Sequence, residues 1–121
     1  GVTHNDIDLT MIYDSFTYTV MVTLEGLGFC QPGEAADLVA NQRTAPGGDF
    51  PLNTSGGGLS YTHPGMYGSF LLVEAARQLR GEAGDRQVHR KGDPSQNPQV
   101  AIVNGTGGQL SSTGTVVLAT D

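Results

Sequence analysis

The segment Asn53-Thr-Ser-Gly-Gly-Gly-Leu-Ser-Tyr-Thr-His-Pro-Gly-Met-Tyr-Gly68 sets one histidine between a glycine-rich turn and the expected start of a helix. Gly56, Gly57 and Gly58 carry no Cβ, so backbone here can come close to another backbone or to a ligand. Pro64 lacks an N–H and fixes φ, which suits the first turn of a helix. His63 is thereby held on a stiff bend near a helix N-terminus, where free N–H groups point outward and a developing oxyanion would be stabilised. On local pattern alone two readings stand: an imidazole aimed at a reacting group, and a structural turn carrying a surface histidine.

Other motifs carry less. Gly105-x-Gly107-Gly108 opens no helix and precedes no suitable acidic residue, so it is weak as a dinucleotide site. His4, His63 and His89 lack metal-ligand spacing and Cys30 stands alone, so no metal is expected. Ser55 lies in Asn-Thr-Ser-Gly-Gly, which does not match a hydrolase elbow.

The elements that must hold His63 read as follows. Leu9–Tyr13 is a short buried strand. Asp14 and Ser15 offer an N-cap to a helix whose face is Phe16, Val20, Leu24 and Leu27, with Gly26 and Gly28 at its end. Residues 30–50 are loop-rich, with a short strand over Ala35–Ala40. Phe50–Asn53 and Gly58–Tyr61 read as short strands around the glycine turn. A second helix is predicted from about Pro64 to Arg80, with Leu72, Ala75, Ala76 and Leu79 inward and Gly81 at C′. Residues 81–99 read as an exposed loop, and Val100–Val103 and Thr115–Leu118 as the clearest strands. Alternating elements predict an α/β fold, a mixed sheet with helices packed on it.

Twelve acidic against six basic side chains give a net charge of -6. With no basic stripe, a nucleic-acid surface is not expected. Only 15% of residues are charged, against roughly 25% in an average soluble domain. That shortfall predicts surface covered by a partner or by a missing half. A single cysteine excludes a disulfide within the chain and fits a reducing cytoplasm. No apolar run approaches the ~20 residues of a membrane span. Gly1-Val-Thr-His-Asn-Asp has neither initiator Met nor signal-peptide character, which reads as the middle of a longer protein.

Four segments together resemble the C-terminal half of the thiolase superfamily, nearest the sterol-carrier-protein-type thiolases and lipid-transfer-protein-like aldolases. They are Tyr13-Asp-Ser-Phe16, Leu24-Glu-Gly-Leu-Gly-Phe-Cys-Gln-Pro-Gly-Glu34, Asn53–Gly68 and Gln78-Leu-Arg-Gly-Glu-Ala-Gly-Asp-Arg-Gln-Val88. The resemblance covers nearly all of residues 1–121 but about half of a thiolase subunit. It implies a thiolase-like half within a layered αβαβα architecture, acting on acyl-CoA as a homodimer. Coenzyme A would enter as part of the substrate, with no covalently bound cofactor. The family's nucleophilic cysteine belongs to the N-terminal half; Cys30 is not its counterpart, so this chain alone is expected to be inactive.

The resemblance aligns His63 in Thr62-His63-Pro64 with the histidine of a Gly-His-Pro motif, which polarises a thioester oxygen or activates the nucleophile. It places Tyr13-Asp14-Ser15-Phe16 where the family carries Asn-Glu-Ala-Phe or His-Asp-Cys-Phe. It places Asn104 where a second catalytic cysteine or histidine usually follows the penultimate strand. A phenol with a prepared proton partner can work on a hydroxyl, as retro-aldol cleavage of a bulky β-hydroxyacyl-CoA requires. The steroid side-chain aldolases of this superfamily resemble that pattern and work with a zinc-ribbon/OB-fold partner protein. Tyr13 and His63 form the leading pair, with Tyr61 or Tyr67 as a second phenol and Gly56, Gly57, Gly107 and Gly108 as substrate or oxyanion contacts. Arg77, Arg80 and Arg86 could meet coenzyme A phosphates or be solvated. An acyl-CoA acyltransferase of ordinary thiolase type and a non-catalytic lipid or acyl-CoA carrier are the alternatives.

Overall fold

The structure, a computed structural model, describes residues 1–120. Strand β1 (Leu9–Ile12) lies parallel to β2 (Val100–Gly107), which pairs antiparallel with β3 (Ser112–Ala119), giving the order β1-β2-β3. All four β1 residues are buried, the condition in which a strand reads as a continuous apolar run. Helix α4 (Gly68–Leu79) packs on one face of this mixed sheet. Leu9 and Met11 of β1, and Tyr13 just beyond its end, alternate and meet Ala101 and Val103 of β2, with Tyr67, Leu71, Ala75 and Leu79 facing them. That core joins a period of two to a period of four. The expected α/β arrangement is present.

Several elements differ from expectation. The second helix begins at Gly68, because Pro64–Tyr67 forms a turn with the Tyr67 N–H donating to the Pro64 carbonyl at 3.2 Å. Its inward face holds the expected Ala75 and Leu79 together with Leu71, Glu74 and Gln78, and Leu72 is exposed. Two polar residues turn inward because each finds partners there. The Glu74 carboxylate accepts from Thr54 Oγ1 (2.9 Å) and pairs with Arg86 (2.9 Å), while Gln78 donates to Thr54, Glu74 and the Arg86 carbonyl and accepts from the Val88 N–H. The unusual run from Gln78 to Val88 is thus a polar latch anchored on the buried Gln78 and Glu74, and Arg86 pairs with Glu74 while its side chain stays 43% exposed. Residues 81–99 are correspondingly less open than expected, with Ala83 and Pro98 buried.

Ala35–Val39 is helix α2, not a strand. Alanine is the best helix former, and Glu25 of helix α1 (Thr17–Gly26) accepts the Gly33 and Ala35 N–H groups at 2.8 and 3.3 Å. Around the glycine turn, Leu52 makes a single parallel bridge to Thr10, and residues Gly57–Ser60 form the helical turn α3. Pro51 cannot donate to a ladder. Asn53 leaves extended geometry at φ 47° and uses its carboxamide on Ile12 N–H and C=O, each at 2.8 Å. On α1, Leu24 is buried but Phe16 is exposed. Phe16 occupies the N-cap position without a side-chain cap; Ser15 bonds Thr19, and Asp14 reaches elsewhere.

The buried Glu74 predicts an acid dependence. Burial pushes its carboxyl up, but hydrogen bonds from Arg86, Thr54 and Gln78 and the Arg86 charge outweigh that and hold it below its ordinary value of 4.5. A depressed folded-state pKa gives stability that is present above the unfolded pKa and lost as pH falls through the folded one. Denaturation of the full-length protein should show stability declining below about pH 4.5, with a shallower decline in Glu74→Gln. An identical acid limb in the variant contradicts this.

Candidate active site

Tyr13 follows β1 directly, so its ring emerges from the buried strand end. It is 9% exposed and stacks on the buried Tyr67 with ring centroids 5.8 Å apart. His63 sits on the loop after α3 with its ring nearly parallel to that of Tyr13, 10° between planes. Tyr13 Oη and His63 Nδ1 are hydrogen-bonded. Burial, then the Asp14 charge, pushes the Tyr13 phenol above its ordinary value of 10.0. The phenol therefore stays protonated at neutral pH and can donate to His63 Nδ1 in the tautomer that carries the ring N–H at Nε2.

His63 is solvent-exposed but not isolated, because the phenol it touches lines an open cleft of about 570 Å³. That cleft lies between the start of α4 and the β2–β3 hairpin, with Met66, Tyr67, Gly107, Thr113 and Val116 among its walls. Gly68 and Gly105 face each other across its base: a Cβ on Gly68 would stand 3.8 Å from the Gly105 Cα. Apolar surface is displayed beside it by Met66, Phe70 and Val73.

The remaining candidate residues divide. Tyr67 joins Tyr13 in the cleft; burial, then Asp14, raises its phenol despite a hydrogen bond from Ser55. Tyr61 is 70% exposed and lies outside the cleft wall. Asn104 is 2% exposed and lies behind that wall. Its Nδ2 donates to Thr113 (2.9 Å) and Thr115 (2.8 Å), and its Oδ1 accepts from Thr106 (3.4 Å), so its carboxamide orients two threonines of the cleft. Gly107 lines the cleft, whereas Gly108 is at the hairpin tip, where its φ is 56°. The Gly56 N–H donates to the Asn53 carbonyl at 2.7 Å, and Gly57 packs against the Asp14 carboxylate. These two glycines serve the turn. Arg77 and Arg80 lie toward the far end of α4, with Arg80 about 12 Å along the axis from Leu72 at 1.5 Å per residue. Among the described residues no cluster of metal-ligating side chains occurs and no helix is long and apolar enough to cross a membrane.

Cys30 lies outside the cleft, and burial followed by the Glu25 and Glu34 charges pushes its thiol above 9.0. Less thiolate means slower alkylation. Iodoacetamide at pH 8 should label Cys30 more slowly than free cysteine; equal rates contradict this.

Comparison with known proteins identifies the family. Residues 1–120 match the model of the thiolase C-terminal domain-like family. The chain belongs to that family. It is 44% identical over 89 residues to "Sterol carrier protein 2" of Homo sapiens, covering 73% of this chain and 16% of that protein. It is 40% identical over 109 residues to the "Steroid side-chain-cleaving aldolase" of Thermomonospora curvata, covering 88% of this chain and 25% of that one. The solved "Ltp2-ChsH2(DUF35) aldolase" superposes with a TM-score of 0.76 at 32% identity, over 98% of this chain and 28% of its own. The chain thus spans between a sixth and a third of these relatives, and the family fold, a mixed sheet with helices packed on it, is the one described above.

Proposed function

We propose that this chain is the C-terminal, proton-handling domain of an acyl-CoA enzyme that cleaves a bulky, sterol-like β-hydroxyacyl-CoA by a retro-aldol reaction. The observation that carries the reading is the hydrogen bond from Tyr13 to His63 at the cleft. Similarity to a steroid side-chain-cleaving aldolase supports the substrate class.

In this mechanism the β-hydroxyl gives its proton to the Tyr13 oxygen as the phenol passes its own to His63 Nδ1. The hydroxyl oxygen becomes a carbonyl, the Cα–Cβ bond breaks, and its electron pair forms the thioester enolate. The resulting imidazolium stabilises the enolate oxygen through Nε2–H. The proton then returns through Tyr13 to Cα, releasing a ketone and a shorter acyl-CoA. A relay suits a phenol whose ionisation is disfavoured: moving it from 10 to neutrality would require ~4 kcal/mol, and concerted transfer avoids a free phenolate. No bound cofactor enters; coenzyme A is part of the substrate. The same reading carries an N-terminal thiolase half, a homodimer, a cytoplasmic setting and a zinc-ribbon/OB-fold partner.

Thiolytic acyl transfer is the competing reading. It draws on a second cysteine or histidine, and Asn104, aligned with that position, can neither take a proton nor spare its amide. The complete protein given a 3-hydroxyacyl-CoA with a tertiary β-carbon should release ketone. Thiolysis of a 3-oxoacyl-CoA with no ketone from the first substrate would establish the transferase instead, and binding without turnover the carrier.

A further inference from the structure

We propose that Asp14 is the positioning residue of the Tyr13–His63 pair: its carboxylate ties the loop carrying His63 to the strand end carrying Tyr13. Asp14 is 4% exposed and adjoins Tyr13 in the chain. Its Oδ1 accepts the Gly58 N–H at 2.6 Å and its Oδ2 the Leu59 N–H at 3.1 Å. Both contacts span more than forty residues of sequence. The glycines make room for this carboxylate. A Cβ on Gly57, whose φ is 68°, would stand 2.7 Å from Asp14 Cγ, and one on Gly58 would stand 3.2 Å from Oδ1 and 3.5 Å from the Tyr13 ring.

His63 needs such a tether. It lies in irregular, exposed backbone four residues beyond Leu59, and among the described residues its ring's hydrogen-bond partner is the Tyr13 phenol. The loop's other end is fixed by the Asn53 carboxamide on Ile12. Without Asp14, the stretch between Asn53 and His63 loses its tie beside Tyr13. Misplacing a reacting group by about 1 Å costs on the order of 100-fold in rate.

The test is Asp14→Asn in the complete protein. A carboxamide accepts one N–H and turns its own NH₂ toward the other. A crystal structure should show the Tyr13 Oη and His63 Nδ1 atoms parted beyond hydrogen-bond reach, about 3.5 Å. Retro-aldol kcat should fall about 10–100-fold with KM little changed, and adding Asp14→Asn to Tyr13→Phe should cause no further loss. A pair still bonded in Asp14→Asn, or losses that multiply in the double variant, overturns the proposal. The kinetic part rests on the function proposed above, and the crystallographic part does not. Should Tyr13→Phe leave turnover intact, that function fails, and the His63 position alone decides on Asp14. If Asp14→Asn does not fold, Gly58→Ala presses the same carboxylate while keeping helical backbone. It should shift the pair in the same direction by less, and an unmoved pair overturns the proposal.

Discussion

Tyr13→Phe in the complete protein should slow retro-aldol turnover by about 10²–10⁴-fold, the range for losing a positioned acid–base group. The change deletes one oxygen. The ring keeps its stacking on Tyr67 and its place among Leu9, Met11, Leu71 and Val103, so folding and KM should be little altered. What disappears is the route from a bound hydroxyl to His63 Nδ1. The imidazole also loses the hydrogen-bond partner beside which its plane lies within 10° of the phenol ring. A turnover number equal to that of the parent protein removes Tyr13 from the mechanism.

The largest expected change in stability comes from Gln78→Leu. Gln78 is fully buried. Its Nε2 serves Thr54 (3.1 Å), Glu74 (3.2 Å) and the Arg86 carbonyl (2.8 Å), while its Oε1 accepts the Val88 N–H (2.9 Å). Leucine fills a similar volume, so the loss is polar. The Val88 N–H and the Arg86 carbonyl are left without their partner, and each unsatisfied buried group costs about 1–3 kcal/mol. We expect about 3–5 kcal/mol in total. Urea unfolding of the full-length protein should show the midpoint lowered with the slope unchanged. A loss below about 1 kcal/mol would mean that water replaces the missing partners and that the latch is not dry.

What could be read from sequence follows the range of the interactions. β1, β2 and β3 are legible because each contains a local run of apolar or β-branched residues, although only β1 is buried throughout. The order β1-β2-β3 is not, since it depends on pairing across ninety residues of chain. Helix α4 is legible as a helix with Ala75 and Leu79 inward, but its buried stripe continues through Leu71, Glu74 and Gln78 instead of Leu72 and Ala76. Periodicity counts apolar residues, while Glu74 and Gln78 turn inward for partners at Thr54 and Arg86. The spacing of Glu74, Gln78, Arg86 and Gln87 was the available signal, since polar residues of that kind cluster when they satisfy one another. Ala35–Val39 was missed because its capping carboxylate, Glu25, comes from another helix.

In the site, Tyr13 and His63 were paired by resemblance, and the structure puts them in hydrogen-bond contact. From sequence Asp14 reads as a local helix cap, because aspartate before an apolar-periodic run usually is one. Its partners at Gly58 and Leu59 lie far along the chain. The glycine turn likewise reads as backbone free to approach another backbone or a ligand, whereas Gly57 and Gly58 make way for the Asp14 carboxylate. The resemblance aligns Asn104 with a catalytic position, and only the β2–β3 register, with Asn104 opposite Thr115, shows where its donors go.

The most direct measurement is a crystal structure of the complete protein holding a 3-hydroxyacyl-CoA analogue that cannot be cleaved. The relay requires the β-oxygen within hydrogen-bond distance of Tyr13 Oη and the thioester oxygen facing His63 Nε2. A ligand seated with its β-oxygen remote from both rings would contradict the relay.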